Sequence, residues 1–281
     1  MPSPAPPPSQ RRMSDPLDRI AAALERLAPP PPPVPDLAAH PAYVWHRGFL
    51  QPARAFAPLP LAELVGIEAQ KATLLENVRR LASGLPAHDV LLWGARGTGK
   101  SALSKAAVAT VQAEGGAVAL IEAQADTLDT LPQLFALIAA CPRAFVIFLD
   151  DLGFDAASDG RALRSLLEGG AEARPANARL FVTSNRRHLI PRDIAEQSSA
   201  INPRDSIDDN LALADRFGLS LGFHAIDQDT YVAIVRTYAQ DHGLPFDAAE
   251  AINWATRRGS RSGRVAWQYV VDLAGRNGKR L

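Results

Sequence analysis

The stretch Val90-Leu-Leu-Trp-Gly-Ala-Arg-Gly-Thr-Gly-Lys-Ser101 constrains this chain more than any other. Four apolar residues, Val90 to Trp93, stop at Gly94, and an Ala-rich stretch of helical character runs from Ser101 to Ala113. Between them, Gly94 to Ser101 fits the pattern G-x-x-x-x-G-K-[ST] in full. Glycines let main-chain N–H groups curl around an anion with no Cβ in the way. A helix that starts at Ser101 adds its free N–H groups and its positive end. Gly94, Ala95, Arg96, Gly97, Thr98, Gly99, Lys100 and Ser101 are therefore candidate phosphate-binding residues. Lys100 has the length to reach the β- and γ-phosphates of a nucleotide, and Ser101 can offer its hydroxyl oxygen to Mg²⁺. The plain alternative, a Gly-rich turn at a helix start, is disfavoured by the strand before it and the helix after it.

The rest of the chain supplies that context. Ala117–Glu122, Phe145–Leu149, Leu180–Thr183 and Leu219–Phe223 read as further apolar strands. Helical patterns over 64–82, 101–113, 128–140 and 159–169 lie before or between them, with Ala72, Leu75, Val78 and Leu81 on one face of the first. Strands alternating with helices predict an α/β fold, a five-stranded parallel sheet covered on both faces. After Phe223 only helices follow, over 230–240, 248–257 and 264–274, which predicts a small all-helical unit at the end. No internal repeat is evident.

Two strand ends carry polar clusters. Phe145-Val-Ile-Phe-Leu-Asp-Asp151 is an apolar strand ending in two acids, delivered to the sheet edge where open α/β sheets bind ligands. Asp150 is the candidate to hold Mg²⁺ through water, and Asp151 to orient an attacking water; alone, such a pair is as readily a solvated strand end. Asn185, at the tip of Leu180-Phe-Val-Thr-Ser-Asn185, is a candidate to bond a γ-phosphate or position the water, against a plain strand-to-loop transition. Arg186, Arg187 and His188 follow it, and solvent or structural pairing is the simplest reading for them.

Proline is concentrated at the front, with 16 of 23 in residues 1–60. The run Pro29–Pro33 favours a stiff, extended segment. Before it, Asp15 can cap a short helix, Pro16 suits the first turn, and Leu17, Ile20, Leu24 and Leu27 recur at helical spacing. So short a helix needs something to dock on: its own body, a second copy or a partner. The expected organisation is a Pro-rich leader over 1–41, a nucleotide-binding α/β domain over 42–224 and a helical lid over 225–281.

Lys plus Arg and Asp plus Glu balance at 30 each, which excludes a general polyelectrolyte grip on nucleic acid or anionic lipid. Arg257, Arg258, Arg261, Arg264, Arg276, Lys279 and Arg280 form the one basic region, so a nucleic-acid partner has little support and stays open. A single cysteine, Cys141, allows no internal disulfide and suits a reducing compartment. No run approaches the roughly 20 apolar residues that cross a bilayer. The expected location is the cytoplasm.

The order of these motifs resembles an AAA+ ATPase: a Walker A loop, a Walker B strand, a third strand ending in Asn and a C-terminal helical lid. Four segments resemble, within it, the domain of unknown function 815 family: Leu91 to Ser101, Phe148-Leu-Asp-Asp-Leu-Gly-Phe154, Thr183-Ser-Asn-Arg-Arg-His-Leu-Ile-Pro191 and Leu213-Ala-Asp-Arg-Phe-Gly-Leu219. The resemblance covers about residues 42–275. It implies sensor 1 duty for Asn185 and an arginine-finger role for Arg216, reaching ATP in the next subunit; pairing with Asp215 or Asp209 is the alternative for Arg216. It implies a lid sensor at Arg264, with Arg261 as the other candidate, and places Val65 and Ile67 near the base. AAA+ motors end Walker B in Asp-Glu, whereas Asp150-Asp151 is one methylene shorter, which implies slow hydrolysis.

The resulting expectation is a homo-oligomeric ATPase that uses ATP and Mg²⁺ to remodel, load or switch an unidentified protein partner. An ATP-dependent scaffold with little turnover is the alternative. A small-molecule phosphotransferase fits less well, because small P-loop kinases lack the lid arginine and the Asp-Arg-Phe-Gly element.

Overall fold

The structure, a computed structural model, describes residues 16–27, 33–46, 48–152, 163–167, 174–185 and 215–281. The chain divides into two compact units, residues 1–34 and 35–281. In the first, helix α1 (Pro16–Leu27) forms where the leucine spacing predicts it. Leu17, Ile20 and Leu24 lie exposed along one of its faces. Its expected cap, Asp15, and prolines 29–32 lie outside the described residues.

The second unit is built on one sheet: β1 (Ala42–His46), β2 (Phe49–Pro52), β3 (Val90–Gly94), β4 (Val118–Ala123), β5 (Ala144–Leu149), β6 (Ala178–Ser184) and β7 (Leu219–Phe223). The order across it is β2-β1-β4-β5-β6-β3-β7. The five expected strands are β3 to β7, all parallel to their neighbours. The sheet is larger than expected, however, with seven strands. β1 adds parallel to β4, and β2 returns antiparallel to β1 as the edge. Tyr43 and Trp45 of β1 are buried while Val44 and His46 are exposed, the alternation of a half-covered strand. Prolines at 35, 41 and 52 give this hairpin the composition of the leader, and that hides it in the sequence.

Periodicity of two explains the layers. In β5, Phe145, Ile147 and Leu149 enter one core with Leu91, Leu131, Leu134 and Ile138. Val146 and Phe148 enter the other with Val90, Leu92, Leu103, Val108 and Val78. Every residue of β5 is buried, as a central strand with both faces covered requires. Helices α2 (Glu68–Ala82) and α3 (Lys100–Ala113) cover the second face, and α4 (Leu131–Ile138) the first. The buried face of α2 is Leu74, Asn77, Val78 and Leu81, with Leu75 partly buried against the same core, whereas Ala72 is exposed. Asn77 takes a core place because it exchanges two bonds with the His88 main chain, Nδ2 donating at 3.0 Å and Oδ1 accepting at 2.9 Å. The helix expected over 128–140 is a 3₁₀ stretch, Ala125–Thr130, followed by α4, which has Pro132 in its first turn. Of the helix expected over 159–169, residues 163–167 are described and are helical.

Beyond β7 the chain forms α5 (Gln228–Asp241), α6 (Ala248–Arg257) and α7 (Gly263–Arg276), as the sequence predicts. Each starts on a side-chain cap: Asp227 accepts from the Thr230 amide, Asp247 from that of Ala249 and Ser262 from that of Val265. Tyr231, Val235, Tyr269 and Val270 make a third core between them. No helix among the described residues is long and apolar enough to cross a membrane.

Candidate functional site

Strand order builds the site. β5, β6 and β3 are consecutive in the sheet, and neighbouring strands lie about 4.8 Å apart. Their carboxyl ends therefore bring Asp150, Asn185 and Gly94 side by side from three distant parts of the sequence. The chain also reverses strand order here, since α3 leads from β3 to β4, three places away. Open α/β sheets form a ligand crevice at such a point.

The loop 94–99 takes the backbone its glycines predict. Gly94, Gly97 and Gly99 have φ of 129°, 74° and 99°. A Cβ at Gly94 would run into the Phe223 carbonyl of β7. Gly99 caps α3 in the left-handed conformation, leaving the first amides of the helix turned to the crevice. Thr98 closes the loop internally, its hydroxyl donating to the Ala95 carbonyl at 2.8 Å.

Lys100 is only 5% exposed and lies at the centre. Its ammonium donates to the carbonyls of Gly94 (3.0 Å) and Ala95 (2.7 Å) and to Asn185 Oδ1 (3.0 Å). Burial pulls its pKa below the ordinary lysine value, and Asp151 and Asp150 oppose that pull. Asn185 passes the contact on, its Nδ2 donating to Asp151 Oδ1. Asp151 also lies 3.7 Å from the Arg96 guanidinium. Ser101 donates to Asp150 Oδ1 at 2.6 Å. The same carboxylate oxygen accepts from the Thr183 hydroxyl at 2.6 Å.

Arg96 to Ser101, Asp150, Asp151, Asn185, Val65, Ile67 and Arg264 line one cavity of about 660 Å³. Gly94 and Ala95 lie behind it, holding Lys100 through their carbonyls. Arg264, not Arg261, lines the cavity; Arg261 is 3.5 Å from Gln228 Oε1. The start of α7 touches the loop 94–99 directly, with the Gly263 amide donating to the Gly97 carbonyl at 2.9 Å. Arg216 lies elsewhere. It precedes β7, whose first residue Leu219 pairs with Val90 at the amino edge, while Phe223 pairs with Gly94 at the carboxyl edge. Arg186, Arg187, His188 and Asp209 lie outside the described residues.

The family described as Protein of unknown function (DUF815) matches residues 38–277. The chain belongs to the DUF815 family. No curated protein matches this DUF815 member. Among solved structures it is similar to a single-substitution variant of RuvB from Thermotoga maritima, at 18% identity over 79% of this chain and 67% of that one, with a TM-score of 0.52. It is also similar to the ORC1 protein of Aeropyrum pernix in complex with DNA, at 16% identity over 78% and 65% of the two chains, with a TM-score of 0.53. The fold of this DUF815 member is accordingly that of the AAA+ P-loop ATPases, an α/β sheet followed by a helical lid.

Sequence reasoning missed several lining residues. Leu59, Glu63, Ile226, Tyr238 and Trp267 complete the wall. Burial raises the pKa of Glu63, as does the charge of Asp241. Trp267 follows Arg264 by three residues, a spacing that puts both on one helix face and could have revealed it. Thr183 precedes Asn185 by two on a strand, which places both side chains on the same face.

Proposed function

We propose that this chain binds ATP with Mg²⁺ in the 660 Å³ cavity and hydrolyses it between copies of itself, to remodel, load or switch a protein partner. The observation that carries the reading is the convergence of the start of α3 on two strand ends, with Lys100 bonded to Asn185 at 3.0 Å and Ser101 to Asp150 at 2.6 Å. The loop amides and Lys100 bind the phosphates. Val65 and Ile67 pack on the base, with Trp267 and Tyr238 in the same wall. Ser101 and Asp150 fit Mg²⁺, Ser101 as a direct ligand and Asp150 through water. Among the described residues no group of three or more His, Cys, Asp or Glu is gathered that could hold a metal, so the phosphates and water supply the other ligands. When bound, the ion neutralises charge on the phosphates. Asp151 orients the water, held there by Asn185 and Arg96. Arg264 reads the phosphates from the lid.

Arg216 belongs to the amino edge of the sheet, remote from its own phosphate loop, which supports a role at a neighbour's site. The working units are a leader over 1–41, a nucleotide-binding domain over 42–224 and a lid over 225–281. Residues of the basic region are engaged locally: Arg258 stacks over Trp254 at 4.4 Å, and Arg276 pairs with Glu250 and Asp272. That favours a protein partner over nucleic acid. The single cysteine, Cys141, fits work in the cytoplasm.

Calorimetry with Mg·ATP on the wild-type protein and on Lys100→Ala tests the binding claim. Heat from the first and none from the second is expected, and no heat from either overturns it. A second reading, an ATP-dependent scaffold with little turnover, is favoured by Asp151 itself, a short side chain already tied to Asn185 and Arg96. Sustained phosphate release by the purified protein removes that reading.

A further inference from the structure

Asp151 is the one non-glycine residue among the described residues with a positive φ, 52°. An L-residue with a Cβ enters that region at a cost and stays only where its surroundings hold it. Here Asn185 and Arg96 engage the side chain, and Thr183 holds the main chain. The Asp151 amide donates to Thr183 Oγ1 at 2.8 Å. The next amide, that of Leu152, donates to the Thr183 carbonyl at 2.9 Å. One threonine thus grips both amides flanking the Asp151 Cα–C unit, from its side chain and from its main chain.

The hydroxyl has a second duty. A threonine hydroxyl carries one proton and can accept as well as donate. Since an amide N–H can only donate, the hydroxyl accepts from Asp151 and must spend its own proton on Asp150 Oδ1, 2.6 Å away. Asp150 Oδ1 then receives two hydroxyl protons, from Thr183 and from Ser101. That fixes the rotation of the Asp150 carboxylate and leaves its other oxygen unengaged by these two groups. Thr183 itself is 2% exposed and its strand is held on both sides, so the whole arrangement has a rigid base.

We propose that Thr183 is a positioning residue: its hydroxyl sets the left-handed turn that aims Asp151 at Asn185 and, in the same act, orients Asp150 toward Ser101. The proposal rests on the ATP-hydrolysing reading of the site for its consequence, not for its geometry. Without the hydroxyl, the Asp151 amide loses its acceptor, the residue relaxes to negative φ, and its carboxylate leaves Asn185. Phosphate contacts through the loop amides and Lys100 are untouched.

The test compares Thr183→Val, close in shape but without the hydroxyl, with Thr183→Ser, which restores it. In Thr183→Val, turnover is expected to fall roughly 10–100-fold, the range for loss of a group supporting a metal ligand. Binding of a fluorescent ATP analogue is expected to change by less than about threefold, and the magnesium concentration for half-maximal turnover to rise. Thr183→Ser is expected to recover turnover. A crystal structure of nucleotide-free Thr183→Val supplies the second readout, with Asp151 at negative φ. Should Asp151 keep its positive φ there, or turnover and magnesium dependence stay at wild-type values, the proposal is overturned. A valine variant whose analogue binding falls in step with turnover, with no rescue by serine, overturns it too. Absence of turnover in the wild-type protein strikes the ATPase reading instead, and the Asp151 conformation then decides the positioning claim alone.

Discussion

Lys100 Nζ donates to Asn185 Oδ1 at 3.0 Å, across 85 positions of sequence. An ammonium has three N–H donors, and the other two go to the carbonyls of Gly94 and Ala95. The cation is fully engaged, so under the proposed function a phosphate oxygen would reach it by taking the place of one acceptor. Asn185 is the acceptor on a side chain and the one that can turn aside. Its release would also free Asp151, to which its Nδ2 donates.

Asn185→Ala is therefore expected to leave ATP affinity within about threefold of wild type while slowing turnover about 100-fold, a loss at the low end for a misplaced general base. Lys100→Ala is expected to abolish binding. Calorimetry and phosphate release, read side by side, distinguish loss of binding from loss of chemistry.

The legibility of this site has a physical basis. Gly94, Gly97 and Gly99 announce themselves because the backbone they adopt excludes other residues, and Lys100 and Ser101 follow at fixed spacing. Asp150 and Asn185 are readable because each ends an apolar strand. Thr183 is not, since a threonine in a strand carries no signal of its own until strand pairing sets it against Asp150. The hairpin β1–β2 hides behind the prolines around it, and the face of α2 misleads because buried Asn77 is polar by composition and core by partner. Composition reports the average environment of a residue type; these two cases depend on one specific neighbour.

Arg216 calls for a mixing experiment. Alone, Arg216→Ala is expected, on the proposed in-trans role, to bind ATP normally and to lose turnover roughly a thousandfold, the low end for loss of an arginine finger. Lys100→Ala is expected to be inactive for a different reason, loss of binding. Mixed, the two can form interfaces in which an intact Lys100 faces an intact Arg216, and phosphate release is expected to reappear. Normal hydrolysis by dilute Arg216→Ala would end the in-trans assignment.

Two glycines form a matched pair for stability. Gly94→Ala meets the Phe223 carbonyl at a φ of 129° and is expected to cost about 3 kcal/mol or more. Gly84 also has a positive φ, 69°, but nothing stands within 4 Å of its missing Cβ. Gly84→Ala should cost only about 1 kcal/mol, the left-handed penalty alone. Urea unfolding of the two variants measures the difference.

Tyr231 is buried in the helical core, and its hydroxyl finds no hydrogen-bond partner among the described residues. Burial pushes its pKa from 10.0 up to about 12, with Tyr269 adding to the effect. The folded form thus holds its proton after the unfolded form has lost it. The resulting stability is whole below pH 10 and is lost as pH rises through about 12. Tyr231→Phe is expected to add about 1 kcal/mol at neutral pH by removing an unsatisfied group. It should also move alkaline unfolding to higher pH, checked by circular dichroism across a pH series.

The bond from the Gly263 amide to the Gly97 carbonyl joins the turn proposed to meet the nucleotide to the first residue of a helix 14 residues long. Reshaping that turn around a newcomer must either snap this tether or haul the helix along with it. News of occupancy then has a lever to travel on, from the crevice to the far tip of α7.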